Sequence, residues 1–203
     1  MADKLVFYTH PMSRGRIVRW MLEEIGVPYE TQILGYGTTM KAPEYLAINP
    51  MGKVPAIRHD DVVVTECAAI CAYLADAFPH AGLAPSLGER GAYYRWLFFA
   101  AGPLEAVITN RSLGFEPPAD KESIVGYGNY EAVIHTLEKA VSDNPYIAGE
   151  HFSAADVYVG SHVSWGLSFG NIDKRQAFIE YWSRLSEREA YKRATELDDA
   201  ANA

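Results

Sequence analysis

The 203-residue sequence holds little that could staple or anchor it. Its two cysteines, Cys67 and Cys71, lie four apart. That spacing fits neither a redox C-x-x-C pair nor a paired-cysteine zinc site, so a reducing, cytoplasmic setting is expected. No apolar run approaches the ~20 residues that span a bilayer. The opening Met1-Ala2-Asp3-Lys4-Leu5 lacks the charged and apolar regions of a signal peptide. Basic residues are outnumbered, 18 Lys and Arg against 26 Asp and Glu, for a net charge of −8. Such an acidic chain argues against nucleic acid or an anionic membrane as the main partner. The six histidines are scattered and form no obvious ligand pair, so no metal site is expected. G-x-G-x-x-G, G-x-x-x-x-G-K-[ST] and H-E-x-x-H are absent, and with them the signatures of dinucleotide sites, P-loops and zincins.

What is present suits an ordinary globular protein, 49% hydrophobic and 22% charged, with length enough for two domains. Residues 4–8 read as a buried strand. Ile17, Trp20, Met21 and Leu22 give helical spacing over Ser13 to Ile25, stopped by Gly26 and Pro28. A second strand over 29–34 completes a βαβ unit. Gly35 to Lys41 is loop, and Pro43 to Ile48 a short helix. Val54 to Arg58 and Val62 to Val64 form a hairpin across His59-Asp60-Asp61. A helix from Cys67 to Phe78 ends at Pro79, and residues 79–85 read as a linker. Beyond it strand signals vanish. Ser86-x-x-Glu89, Ser153-x-x-Asp156 and Asp173-x-x-Gln176 mark helix starts, Asp120 is expected to cap a helix to about Val141, and Gly102-Pro103 to kink the first helix. The order is mixed α/β, then all α.

Four features could carry chemistry. Pro55 in a good strand is either an edge proline or a cis proline whose neighbour Val54 offers its backbone to an extended peptide. Glu66-Cys67 opens a helix, where Glu66 either complements the helix dipole or holds an ammonium beside a carboxylate on the free N–H groups. Ser13, between a strand and a helix, is an N-cap, a ligand donor, or both. The run Tyr93-Tyr94-Arg95-Trp96-Leu97-Phe98-Phe99 is core, with part of it available to line an apolar pocket.

Together, Thr9-His-Pro-Met-Ser13-Arg-Gly-Arg16, Asn49-Pro-Met-Gly-Lys-Val54-Pro55, Thr65-Glu66-Cys67-Ala-Ala-Ile70 and Phe152-Ser153-Ala-Ala-Asp156-Val resemble the soluble glutathione transferases. The resemblance spans about residues 4–200. It implies a thioredoxin-like α/β domain over 1–79 that binds glutathione. An all-α helical domain over 86–203 would line the second-substrate pocket. By that resemblance Val54 pairs its backbone with the cysteinyl part of glutathione next to cis-Pro55. Glu66 and Cys67 anchor the γ-glutamyl end, although the family usually has serine in place of Cys67. Lys53, with Lys41 or Arg16, meets the glycyl carboxylate. Ser13 bonds the sulfur, with Tyr8 as its rival, and Ser153 and Asp156 are structural. Tyr93, Trp96 and Asn110 are candidates for the second-substrate pocket. The implied activity is attack of a glutathione thiolate on small hydrophobic electrophiles, in a cytoplasmic homodimer with glutathione as co-substrate and no tightly bound cofactor. Glutathione-dependent peroxidase or disulfide reductase chemistry, or binding without catalysis, are the other functions this fold could serve.

Overall fold

In the computed structural model, which describes residues 4–202, Leu5–Thr9 forms strand β1 and is buried along its length. Helix α1 (Gly15–Ile25) follows, and Gly26 closes it in the left-handed conformation (φ 69°) with its N–H on the Leu22 carbonyl. That is the exit the Gly26-Pro28 pair predicts. Strand β2 (Glu30–Ile33) returns parallel to β1. After a short helix α2 (Pro43–Leu46), strands β3 (Ala56–His59) and β4 (Val62–Thr65) form the expected antiparallel hairpin. Asp60 takes the positive φ of its turn. The sheet order is β2-β1-β3-β4, with β3 antiparallel to β1. Helix α3 (Cys67–Ala77) completes this half.

Strand alternation divides the core between the two faces of the sheet. Val6, Tyr8 and Ala56 pack with Met40 and Tyr45 on one face. Phe7 and Ile57 point to the other, where α1 and α3 pack on one another.

The chain divides into two compact units, residues up to 83 with 188 onward, and residues 84–187. The second is helical: α4 (Arg90–Phe99), α5 (Glu105–Ser112), α6 (Tyr130–Asp143), α7 (Ala154–Phe169) and α8 (Gln176–Ser186). A π-helical turn over Ala100–Leu104 joins α4 to α5 where Gly102-Pro103 predicted a kink. The extra residue in that turn accommodates a proline with no N–H to give. Ser153 and Asp156 form a complete capping box at α7. The other expected caps differ. Asp120 lies in a 3-10 turn, and α6 starts at Tyr130 with Asn129 accepting the Ala132 N–H at 2.9 Å. Gly128, at φ 70°, blocks any helix running in from Asp120. Ser86 donates to the Glu89 carboxylate at 2.6 Å, so these side chains serve each other while α4 begins later, at Arg90. At α8 the cap is Arg175, not Asp173, because Arg175 turns back onto Asp173, Glu131 and Glu138. Residues 166–170 carry the letters G-x-S-x-G, but they end a helix. Ser168 donates to the Ser164 carbonyl within it, which is not the exposed strand-to-helix turn of a hydrolase. No helix among the described residues is long and apolar enough to cross a membrane.

The last helix departs most from the expectation of one helical domain over 86–203. Helix α9 (Glu189–Ala200) packs on α1 of the first unit. Arg19 and Asp198 are both buried and pair at 2.7 Å, and the Arg19 guanidinium lies over the Phe7 ring at 5.1 Å. Burial pushes the Asp198 carboxyl up, against the pull of Arg19. Arg188 forks onto Glu24 at 2.6 and 2.7 Å, while Trp20 donates to Glu24 and meets the Tyr191 ring edge-on. Helix α9 is thus held by charge pairing more than by an apolar stripe. Arg188→Ala leaves the enclosed Glu24 carboxylate with two donors fewer and is expected to cost about 2 kcal/mol. Faster hydrogen exchange confined to 189–200 and the α1 face beneath it checks this.

Candidate functional site

Between β1 and α1 the chain makes a tight loop around Ser13. The Ser13 hydroxyl donates to the His10 carbonyl at 2.6 Å and accepts the Gly15 N–H at 2.9 Å. Accepting a helix-start N–H polarises the hydroxyl and strengthens it as a donor. The N-cap of α1 is Arg14, not Ser13, yet the Ser13 side chain, half-buried beyond the C-terminal end of β1, takes the first helical N–H while staying a candidate donor. Gly15 is needed for space. A Cβ there would stand 1.9 Å from Thr9 Oγ1 and 2.9 Å from Ser13 Oγ, and Thr9 is fully buried. Gly15→Ala is expected to push the start of α1 off β1, costing about 1–3 kcal/mol by overpacking. A lower urea midpoint is the check.

The second segment is the turn before Pro55. Asn49 is buried and organises it: its side-chain oxygen accepts the Met51 N–H and its amide donates to the Lys53 carbonyl. Tyr45 donates to the same carbonyl at 2.6 Å, and burial pushes its phenol up to about 12, so it remains a donor. Gly52 takes φ 56° beside the Met40 carbonyl. The Val54-Pro55 peptide is cis. The N–H and C=O of Val54 make no hydrogen bond among the described residues, and β3 begins only at Ala56.

The third segment is the start of α3. Glu66 is exposed and sits at φ 68°, a conformation that costs a non-glycine residue of order 1 kcal/mol and turns the chain sharply into the helix. The Cys67 thiol donates to the Arg14 carbonyl at 3.6 Å, linking the starts of α3 and α1. Cys71 is fully buried, which pushes its thiol well up and keeps it protonated.

The three expected cations part company. Arg16 is spent on the Pro11 carbonyl and on Asp199 at 2.7 Å. Lys41 donates to the Met51 and Gly52 carbonyls and so fastens the turn. Lys53 is exposed, and its ammonium makes no hydrogen bond or ion pair among the described residues. Tyr8, the rival to Ser13, is buried on the sheet face shared with Met40 and Tyr45, its ring 5.7 Å from that of Tyr45. In the second unit Tyr93 is buried, and Trp96 is nearly so, its ring against Phe99 and beneath Arg95. Asn110 donates to the Tyr127 hydroxyl. The aromatic rings that α4 exposes are Tyr94 and Phe98.

Sequence reasoning missed the supports: Asn49 and Tyr45 beneath Lys53, and His10 and Tyr36 around Met12. Only Asn49 left a signal, because Asn-Pro before a glycine is a turn former.

Residues 12–77 match the family model described as the N-terminal domain of glutathione S-transferase. The chain is 32% identical over 191 residues to glutathione S-transferase F10 of Arabidopsis thaliana, covering 84% of this chain and 86% of that protein. A glutathione transferase of Methylococcus capsulatus superposes with a TM-score of 0.80 at 27% identity, over 97% of this chain and 99% of that one. A sphingomonad glutathione S-transferase solved in complex with glutathione superposes at 0.77 and 26% identity, over 96% and 98% of the two chains.

Proposed function

The chain belongs to the glutathione S-transferase family, and from that premise we propose that Ser13 ionises the glutathione thiol for attack on small hydrophobic electrophiles. The observation that carries this is the Ser13 hydroxyl, polarised by the Gly15 N–H and exposed enough to turn its proton toward a sulfur. In this reading Val54 pairs its open backbone groups with the cysteinyl residue beside Pro55. The γ-glutamyl carboxylate takes the free N–H groups at the start of α3, and Glu66 takes the ammonium. Lys53 meets the glycyl carboxylate. Arg16 and Lys41 support the site, since both already hold protein partners. Cys67 serves as a thiol donor to Arg14, so conjugation asks no redox chemistry of the protein. Tyr94 and Phe98 join Tyr93, Trp96 and Asn110 as candidates for contact with the electrophile. A cytoplasmic homodimer belongs to the same reading.

The magnitude is reasonable. A thiol of pKa about 8.5 is roughly 3% ionised at pH 7. Lowering that by about two units makes it mostly thiolate, a gain near 25-fold for about 2.7 kcal/mol. One hydroxyl donor to an anion supplies about 1.5–3 kcal/mol, and the start of α1 adds to it. The deciding measurement is the ultraviolet thiolate absorbance of bound glutathione against pH. A midpoint about two units below that of free glutathione is expected. Binding with an unshifted midpoint leaves only a glutathione-binding protein, and no binding removes the anchors.

A further inference from the structure

We propose that His10 is a positioning residue for Ser13, acting as the neutral imidazole protonated on Nε2, with Tyr36 as its partner. The proposal rests on the reading of Ser13 as the sulfur's donor. The Met12 N–H donates to His10 Nδ1 at 3.1 Å, so that nitrogen carries the lone pair and the proton belongs on Nε2. The Tyr36 ring packs on the imidazole with centroids 4.5 Å apart, and its hydroxyl donates to the Met12 carbonyl at 3.1 Å. Met12 is therefore held at its N–H by one side chain and at its C=O by the other, and that C=O belongs to the peptide that ends on the Ser13 nitrogen. Tyr36 reaches it from a glycine-flanked loop in which Gly37 takes φ 69°.

The clip matters most once the sulfur arrives. The Ser13 hydroxyl hydrogen then turns from the His10 carbonyl to the sulfur, and Ser13 loses its own tie to residue 10. The two bonds on Met12 remain and keep the serine at the distance a short donor bond requires. No covalent step is involved. His10 works through the backbone and needs no contact with glutathione.

The test is the thiolate midpoint of bound glutathione in His10→Ala, His10→Asn, Tyr36→Phe and Ser13→Ala, each with its glutathione Kd. Nitrogen-15 NMR of the His10 ring accompanies it. His10→Ala is expected to raise the midpoint by about one unit, with Kd changed less than about threefold. His10→Asn, whose Oδ1 can take the Met12 N–H, should recover at least half of that rise, and Tyr36→Phe should show a smaller rise. The NMR shifts should show Nδ1 unprotonated. A wild-type midpoint in His10→Ala, no recovery with asparagine, or a protonated Nδ1 overturns the proposal. If the alanine variant does not fold, the asparagine and Tyr36→Phe variants decide: a midpoint unmoved in Tyr36→Phe and raised in His10→Asn overturns it. An unmoved midpoint in Ser13→Ala overturns the Ser13 reading and this one with it. A rise there with His10→Ala silent removes His10 alone.

Discussion

Ser13→Ala is expected to raise the ionisation midpoint of bound glutathione by about one to two units while leaving its affinity within about threefold. The hydroxyl favours the thiolate over the thiol, so its loss acts on ionisation rather than on binding. The pH dependence has a definite sign. Below both midpoints conjugation of a chlorodinitroaromatic should fall about 10- to 100-fold. Above about pH 9 both proteins hold thiolate and the variant should approach wild type. A uniform loss at every pH would mean that Ser13 orients the substrate and does not ionise it. A wild-type profile would return the sulfur contact to another residue, with Tyr8, which packs in one cluster with Val54, the first to test.

Asp156→Ala should produce the largest loss of stability in the helical unit. The carboxylate is fully buried and accepts from the Ile147 N–H at 2.7 Å, the Tyr181 hydroxyl at 2.9 Å, and the Ser153 N–H and hydroxyl. All four partners are donors, so alanine strands them, at a cost of at least about 3 kcal/mol at neutral pH. Asp156→Asn would be little better, since the amide N–H₂ it introduces faces donors. Burial pushes Asp156 up to about 6, against those four hydrogen bonds. A folded-state value above the unfolded one means that the part of the contribution linked to titration is complete below about pH 4 and lost as pH rises through about 6, leaving the hydrogen bonds alone. The penalty of Asp156→Ala should therefore be larger at pH 4.5 than at pH 7.5. Urea unfolding at both values checks it, and a penalty that shrinks on acidification would refute the account.

Much of the element order was legible because its signals are local. Gly26 and Pro28 stop α1, the aspartates at 60 and 61 turn the hairpin, and Ser153 with Asp156 caps α7. Each works through groups within a few residues, where type and spacing decide the outcome. The missed caps show the same limit from the other side. Asp120 had the right chemistry for an N-cap, but Gly128 and Asn129 downstream offered a better start.

The sequence by itself determined the order of elements, many of their stops, and the three segments proposed to carry the site: the Ser13 loop, the turn into Val54-Pro55 and the start of α3. The tertiary structure alone decided which side chains those segments leave available. Arg16 looked free until Asp199, 183 residues on, arrived beside it, and α9 looked like part of the helical half until Arg19 met Asp198. Lys41 acquires its carbonyl partners only where the turn of Met51 and Gly52 closes over it. Local propensity acts within a turn or two of chain, whereas an ion pair or a shared carbonyl depends on where distant segments finally pack.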